Sequence, residues 1–183
     1  MEALAEAPLD DYAREVILRA VAQACQGCRA DVRFSCTRPG AEGFVDLLRA
    51  ANCAGLAYLD NDLHLCLHPT FGPWIGLRAV VVLDAPAGPD VGRPLSDPIP
   101  AKLRMQLQAA MAEAMEEVHK QAEAREGVRS NWEVWAAMRR LAGSMFAPGA
   151  EYCPGQMAYH YTSDKGLLRE AVRQAAEAGG PGA

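Results

Sequence analysis

Leu56–Asp84 reads LAYLDNDLHLCLHPTFGPWIGLRAVVVLD, and the spacing within it decides the fold class. Leu56–Leu59 and Leu63–His68 are short apolar runs flanking Asp60-Asn61-Asp62. That triplet has the composition of a tight turn, so the runs are expected to form a hairpin. In the second run Leu63, Leu65 and Leu67 alternate with His64, Cys66 and His68, the two-residue period of a strand with one apolar face. Ile75–Asp84 is the most apolar run in the chain and is expected as a third strand, buried on both faces. On that period Ile75, Leu77, Ala79, Val81 and Leu83 share one face, and Trp74, Gly76, Arg78, Val80 and Val82 the other.

Helical patterns surround these strands. Asp10 or Asp11 is placed to cap a helix reaching Cys25, with Tyr12, Val16, Val21 and Ala24 on its apolar side. Val32–Cys36 reads as a short strand before the turn Arg38-Pro39-Gly40. Phe44, Leu47, Leu48 and Ala51 repeat at helical spacing up to a stop at Gly55. Pro and Gly crowd Ala85–Pro100, which predicts a loop. From Pro100 to Ala124 strong helix formers place Leu103, Leu107, Met111, Met115 and Val118 on one face. Gly127 ends that helix, Ser130 or Asn131 caps another reaching Ala142, and Ser163-Asp164 starts a last one reaching Ala178. The expected fold is α+β, an antiparallel or mixed sheet packed with helices, in a single domain over residues 1–178. The tail, residues 179–183, is expected to be disordered.

Composition narrows the function. The chain has 183 residues, of which 50% are apolar, and a formal net charge of -5. No basic block is present, which argues against nucleic acid or an anionic membrane as partner. The start, MEALAEAPLDDY, is acidic and has neither the basic-then-apolar order of a signal peptide nor the character of a transit peptide. The longest strongly apolar run, Ala79–Leu83, falls far short of the ~20 residues of a membrane span. The reading is of a soluble, cytoplasmic protein.

Arg78 is the residue whose chemistry stands out. A guanidinium in the middle of an apolar strand needs a carboxylate, supplied either by the chain itself or by a ligand held bidentately. Gly76 beside it lets a flat ligand approach the backbone. His64, Cys66 and His68 share a strand face, but no fourth ligand stands out, so packing is preferred to a metal site. Cys25-x-x-Cys28 ends a helix instead of opening one, and helix-end packing is preferred to redox use. Asp62-Leu63-His64 begins like the D-x-H-x-x-G motif that supplies an axial histidine to some cobalamin enzymes, but Leu67 stands in place of its glycine. Trp132 and Trp135 lie three apart, with Arg139 and Arg140 one turn on. Such a pair is ordinarily core, although either Arg could share an anion site with Arg78. No phosphate loop or nucleophile elbow occurs.

The segments Ala54–Tyr58 and Cys66–Leu83 together resemble the MMACHC family of cobalamin-processing proteins, whose pattern is A-G-x-A-Y followed by C-x-H-P-x-F-G-x-W-x-x-x-R-x-V-V-L. NWEVWAAMRR resembles its helix of paired Trp and Arg, and EYCPGQMAYHYTS its tyrosine-rich segment. The resemblance runs from about Leu9 to Val172. It implies a nitroreductase-like α+β fold that binds cobalamin base-off. It also implies removal of the upper axial ligand, by transfer of an alkyl group to glutathione or by flavin-supported loss of cyanide, with FMN or FAD as the flavin. By position, corrin contacts fall on Phe34, Val45, Asp46, Leu47, Leu48, Leu59, Asp60, Asn61, Leu63 and Leu77, with Trp74 packing over the ring. Glutathione carboxylates fall to Arg78 and to Arg139, which adjoins the aligned position Met138. Two departures are visible. Asn52 replaces a family histidine, and family members carry further sheet- and flavin-binding residues before the first helix. Glutathione-dependent dealkylation is therefore the better supported expectation. A non-catalytic cobalamin chaperone that hands its cargo to a downstream trafficking protein is the alternative. An ordinary flavin reductase is a third and weaker reading, because no basic phosphate-binding cluster lies near the N-terminus.

Overall fold

A computed structural model describes residues 7–86, 92–123, 132–146 and 149–177. Among the described residues are six helices and four strands, a mixed α+β architecture with two small antiparallel sheets. The chain divides into two compact units, one built within Met1–Pro69 and Ile75–Pro98, the other within Thr70–Trp74 and Ile99–Ala183. No described helix is long and apolar enough to cross a membrane.

The first unit opens with helix α1 (Pro8–Ala24). Asp10 and Asp11 do not cap it. They sit in its first turn, where carboxylates complement the helix dipole, and Pro8 takes the first position, where its missing N–H costs nothing. Strand β1 (Ala30–Phe34) starts two residues before the expected Val32–Cys36. It pairs antiparallel with β4 (Ala79–Leu83), with Val32 opposite Val81. Helix α2 (Leu47–Cys53) is capped by Asp46, whose carboxylate accepts the Arg49 N–H at 3.1 Å. It ends at Gly55, whose φ of +71° suits glycine and whose missing side chain admits the Arg93 carbonyl.

The expected hairpin is present as β2 (Tyr58–Asp60) and β3 (Leu65–Leu67). Four residues join them, the last being His64 with a left-handed φ of +50°. Leu63, Leu65 and Leu67 are buried and His64 is exposed, as their alternation requires. The third strand departs from expectation. It starts at Ala79 instead of Ile75, and it is not buried on both faces. Val81, Val82 and Leu83 are 38%, 53% and 46% exposed. A two-stranded ribbon offers no third layer to cover a second apolar face, so high hydrophobicity did not translate into burial.

The second unit holds α3 (Ala101–Glu123), α4 (Trp132–Gly143), α5 (Pro154–Thr162) and α6 (Lys165–Glu177). Among the described residues of α3, Leu107, Met111 and Ala114 are buried, while Met115 lies at the exposed edge of the expected stripe. Helix α5 was not expected. Pro154 starts it, Ser163 closes it at a φ of +55°, and Asp164 then accepts the Gly166 N–H at 2.7 Å to begin α6. Trp74, Ala136 and Met157 form a buried cluster, with Trp132, Tyr152 and Tyr161 against it. The expected helix stop at Gly127, the cap at Ser130 or Asn131 and the tail at 179–183 lie outside the described residues.

Candidate functional site

The corrin-contact positions of the first unit divide by exposure. Leu48 and Asn61 are exposed, and Phe34, Val45, Leu47, Leu59 and Leu77 are half-buried. Asp46 is exposed, but its carboxylate is engaged by the α2 cap. Asp60 and Leu63 are buried and serve the hairpin itself. The Asp60 Oδ1 accepts the N–H of Asp62 at 3.1 Å and of Leu63 at 3.0 Å. This Asx-type turn replaces two backbone bonds that a four-residue loop cannot make for itself. Phe34 is covered by Arg14, whose guanidinium carbon lies 4.1 Å from the ring centroid.

Arg78 is placed differently from the sequence expectation. It precedes β4 and is not mid-strand, its carbonyl accepts the Ser35 N–H at 2.9 Å, and its side chain is 44% exposed. The carboxylate it needs comes from Asp10 on α1, with Nη1 donating to Oδ1 at 2.9 Å. Both partners are partly solvated, so the pair contributes at most about 1 kcal/mol. A competing carboxylate can displace Asp10 at correspondingly small cost.

Arg139 belongs to the second unit and is tied down more firmly. Its Nε and Nη2 donate to the Pro73 carbonyl at 2.9 and 2.6 Å. Its guanidinium carbon lies 5.0 Å from the ring centroids of both Trp74 and Tyr152, within cation–π range. Met138, the aligned neighbour, is buried in the core, so Arg139 is the one of the two that reaches a polar partner. Gly143 makes room for the Trp74 ring, because a Cβ there would stand 2.7 Å from Nε1. Ring contacts continue from Trp74 to Tyr152, His160, Tyr161 and Trp132 at centroid separations of 5.6, 5.8, 5.0 and 5.5 Å. Trp74 is nine-tenths buried within this array and presents little ring surface. Sequence reasoning named the tyrosine-rich segment but not Tyr152 as a partner of Arg139. The two are 13 positions apart, and no helical or strand period connects them.

No family model matches the chain, and no curated protein matches it.

The thiols and cations complete the chemistry. Burial, with a smaller push from the Asp46 carboxylate, raises the Cys66 thiol above its ordinary range. The Cys25 thiol is likewise raised, by desolvation and then by Cys28, which is opposite to what an activated C-x-x-C requires. Among the described residues no three His, Cys, Asp or Glu side chains gather to hold a metal ion. Most of the cations around α1 and β1 have an acidic neighbour. There Arg19, Arg29 and Arg33 each stand beside a carboxylate of this chain, namely Glu15, Asp84 and Asp31. Arg14 of α1 instead lies over Phe34, with its Nη2 3.6 Å from the Cys36 Sγ.

Proposed function

We propose that this chain handles cobalamin: it binds the cofactor base-off and passes an alkyl upper ligand to glutathione. The observation that carries the reading is the segment Cys66–Leu83, which brings H-P-x-F-G-x-W-x-x-x-R and the β4 apolar run into one continuous motif. Its fold is proposed to be a member of the nitroreductase-like class, within the α+β architecture described above. The exposed positions Leu48 and Asn61 supply contact surface for a corrin, and Asp60 stiffens the hairpin that carries Leu59 and Asn61.

Chemistry would proceed by attack of the glutathione thiolate on the cobalt-bound carbon. A carbon–sulfur bond forms, the cobalt–carbon bond breaks, and its electron pair stays on cobalt. The contribution of Arg78 is to position a glutathione carboxylate, exchanging Asp10 for it; the half-exposed ion pair makes that exchange inexpensive. Arg139 is less free to serve, since two of its N–H groups already hold Pro73.

That same observation favours a second reading, a cobalamin chaperone that carries the cofactor without chemistry, since both arginines have partners within the chain. Incubation of the purified protein with methylcobalamin and glutathione, followed by visible spectroscopy and product analysis, separates the two. Demethylation with S-methylglutathione as product supports the enzyme. A base-off spectrum with the methyl group retained leaves the chaperone, and an unchanged spectrum refutes both.

A further inference from the structure

Strand β4 is the most apolar strand of the first unit, and among the described residues its only ladder partner is β1. The ends of that ladder fix which backbone groups are used. Ser35 N–H donates to the Arg78 carbonyl, and Asp84 N–H to the Arg29 carbonyl. In an antiparallel pair such bonds fall on alternate residues, so Val80 and Val82 turn their N–H and C=O groups toward β1. Ala79, Val81 and Leu83 turn theirs away. Soluble proteins guard such edges with a charge, a proline or a bulge. Between Ala79 and Leu83 there is no charge and no proline. Strand β1, by contrast, carries Asp31 and Arg33, which pair with each other. A ribbon of two strands is marginal in water, and three or more strands are the usual remedy.

We propose that a second copy of this chain pairs with β4 antiparallel to itself. Val81 lies on the two-fold axis, and two ribbons become one four-stranded sheet. The charge order of the strand selects this occupant and this register. With Val81 at the axis, Ala79 faces Leu83 of the second copy, so all three outward residues find ladder partners. Arg78 then stands opposite Asp84 of the second copy on both sides of the axis. A shift of the axis by one residue in either direction leaves the same backbone groups at the seam but sets Arg78 and Asp84 opposite uncharged positions. Asp84 is 70% exposed and only loosely paired with Arg29, at 3.5 Å, so it is accessible to such a partner. An isologous contact of this kind closes at two copies.

The test is analytical ultracentrifugation over a wide concentration range, combined with amide hydrogen exchange. The mass should rise from 19.7 kDa to twice that value and plateau there. Protection should grow with concentration at the amides of Ala79, Val81 and Leu83, while Val80 and Val82 stay protected throughout. Val81→Lys places two like charges across the axis and should weaken association at least about tenfold. Met105→Lys, at a site 70% exposed on α3, should leave association unchanged. The proposal fails if the wild-type chain stays monomeric, grows past two copies without a plateau, or gains protection at Val80 and Val82 instead. It also fails if folded Val81→Lys associates as the wild type does. Should that variant not fold, the exchange pattern of the wild-type chain decides alone.

Discussion

Removing the Asp60 carboxylate should loosen the β2–β3 hairpin by an amount the structure allows one to work out. Its Oδ1 accepts two backbone N–H groups, from Asp62 and Leu63, and the side chain is only 4% exposed. A hydrogen bond to a charged acceptor contributes about 1.5–3 kcal/mol, and an unpaired buried N–H costs a similar amount. Asp62 is exposed, so its N–H can turn to water, whereas the Leu63 N–H is buried and cannot. Asp60→Ala is therefore expected to cost about 3 kcal/mol, one full loss and one partial loss. Asp60→Asn keeps an acceptor oxygen and should cost roughly half of that. Tryptophan emission is the wrong readout, because Trp74, Trp132 and Trp135 all belong to the second unit. Amide hydrogen exchange of Leu63 and of the β2–β3 ladder reports locally, and about 3 kcal/mol corresponds to roughly a hundredfold faster exchange. Ladder protection within threefold of wild type in Asp60→Ala would refute the reasoning, and Asp60 would then be an incidental buried acid.

Other perturbations follow from the same contacts. Gly143→Ala drives a Cβ into the Trp74 ring and should destabilise the second unit by about 1–3 kcal/mol, read by urea unfolding followed through tryptophan emission. Arg139→Lys loses the two-point hold on Pro73 and the stack between Trp74 and Tyr152, at a cost of about 1–2 kcal/mol; unchanged near-ultraviolet circular dichroism and unchanged stability would contradict this. The raised Cys66 thiol means that the folded chain holds that proton more tightly than the unfolded chain. Stability should accordingly fall as pH rises past the ordinary thiol value of 9.0, and alkylation near that pH should reach Cys53 and Cys153 well before Cys66. Arg78→Ala should reduce glutathione-dependent demethylation at least about tenfold while leaving cobalamin affinity within a factor of about three; equal losses of both would mark Arg78 as purely structural.

Much of the first unit was legible because its signals are local. The Leu63-Leu65-Leu67 alternation, the turn residues Asp60-Asn61-Asp62 and the glycine at position 55 each act within a few residues, and a hairpin and α2 formed there, although Asp60 joins β2, Leu63 falls in the loop, and α2 begins at Leu47, after Phe44 of the expected stripe. What was illegible depends on distant partners. Arg78 finds Asp10 across 68 positions, and Arg139 finds Pro73 across 66. No period or motif in the chain announces either contact. Hydrophobicity misled at β4, since an apolar strand is buried only where the topology supplies layers on both sides. Helix α5 was not anticipated, although Pro154 stands at its start, where proline is favoured. Trp74 was expected to form a wall for a flat cofactor. Its place beside Gly143, Tyr152 and Arg139 depends on helix packing that the sequence does not display.

The claim on which the account rests is that this chain takes up cobalamin base-off, and a visible-spectrum titration of methylcobalamin with the purified protein tests it most directly. The predicted result is a saturable shift to the base-off spectrum at one equivalent, weakened by Leu48→Asp on α2. A spectrum that stays base-on through a large excess of folded protein would contradict it.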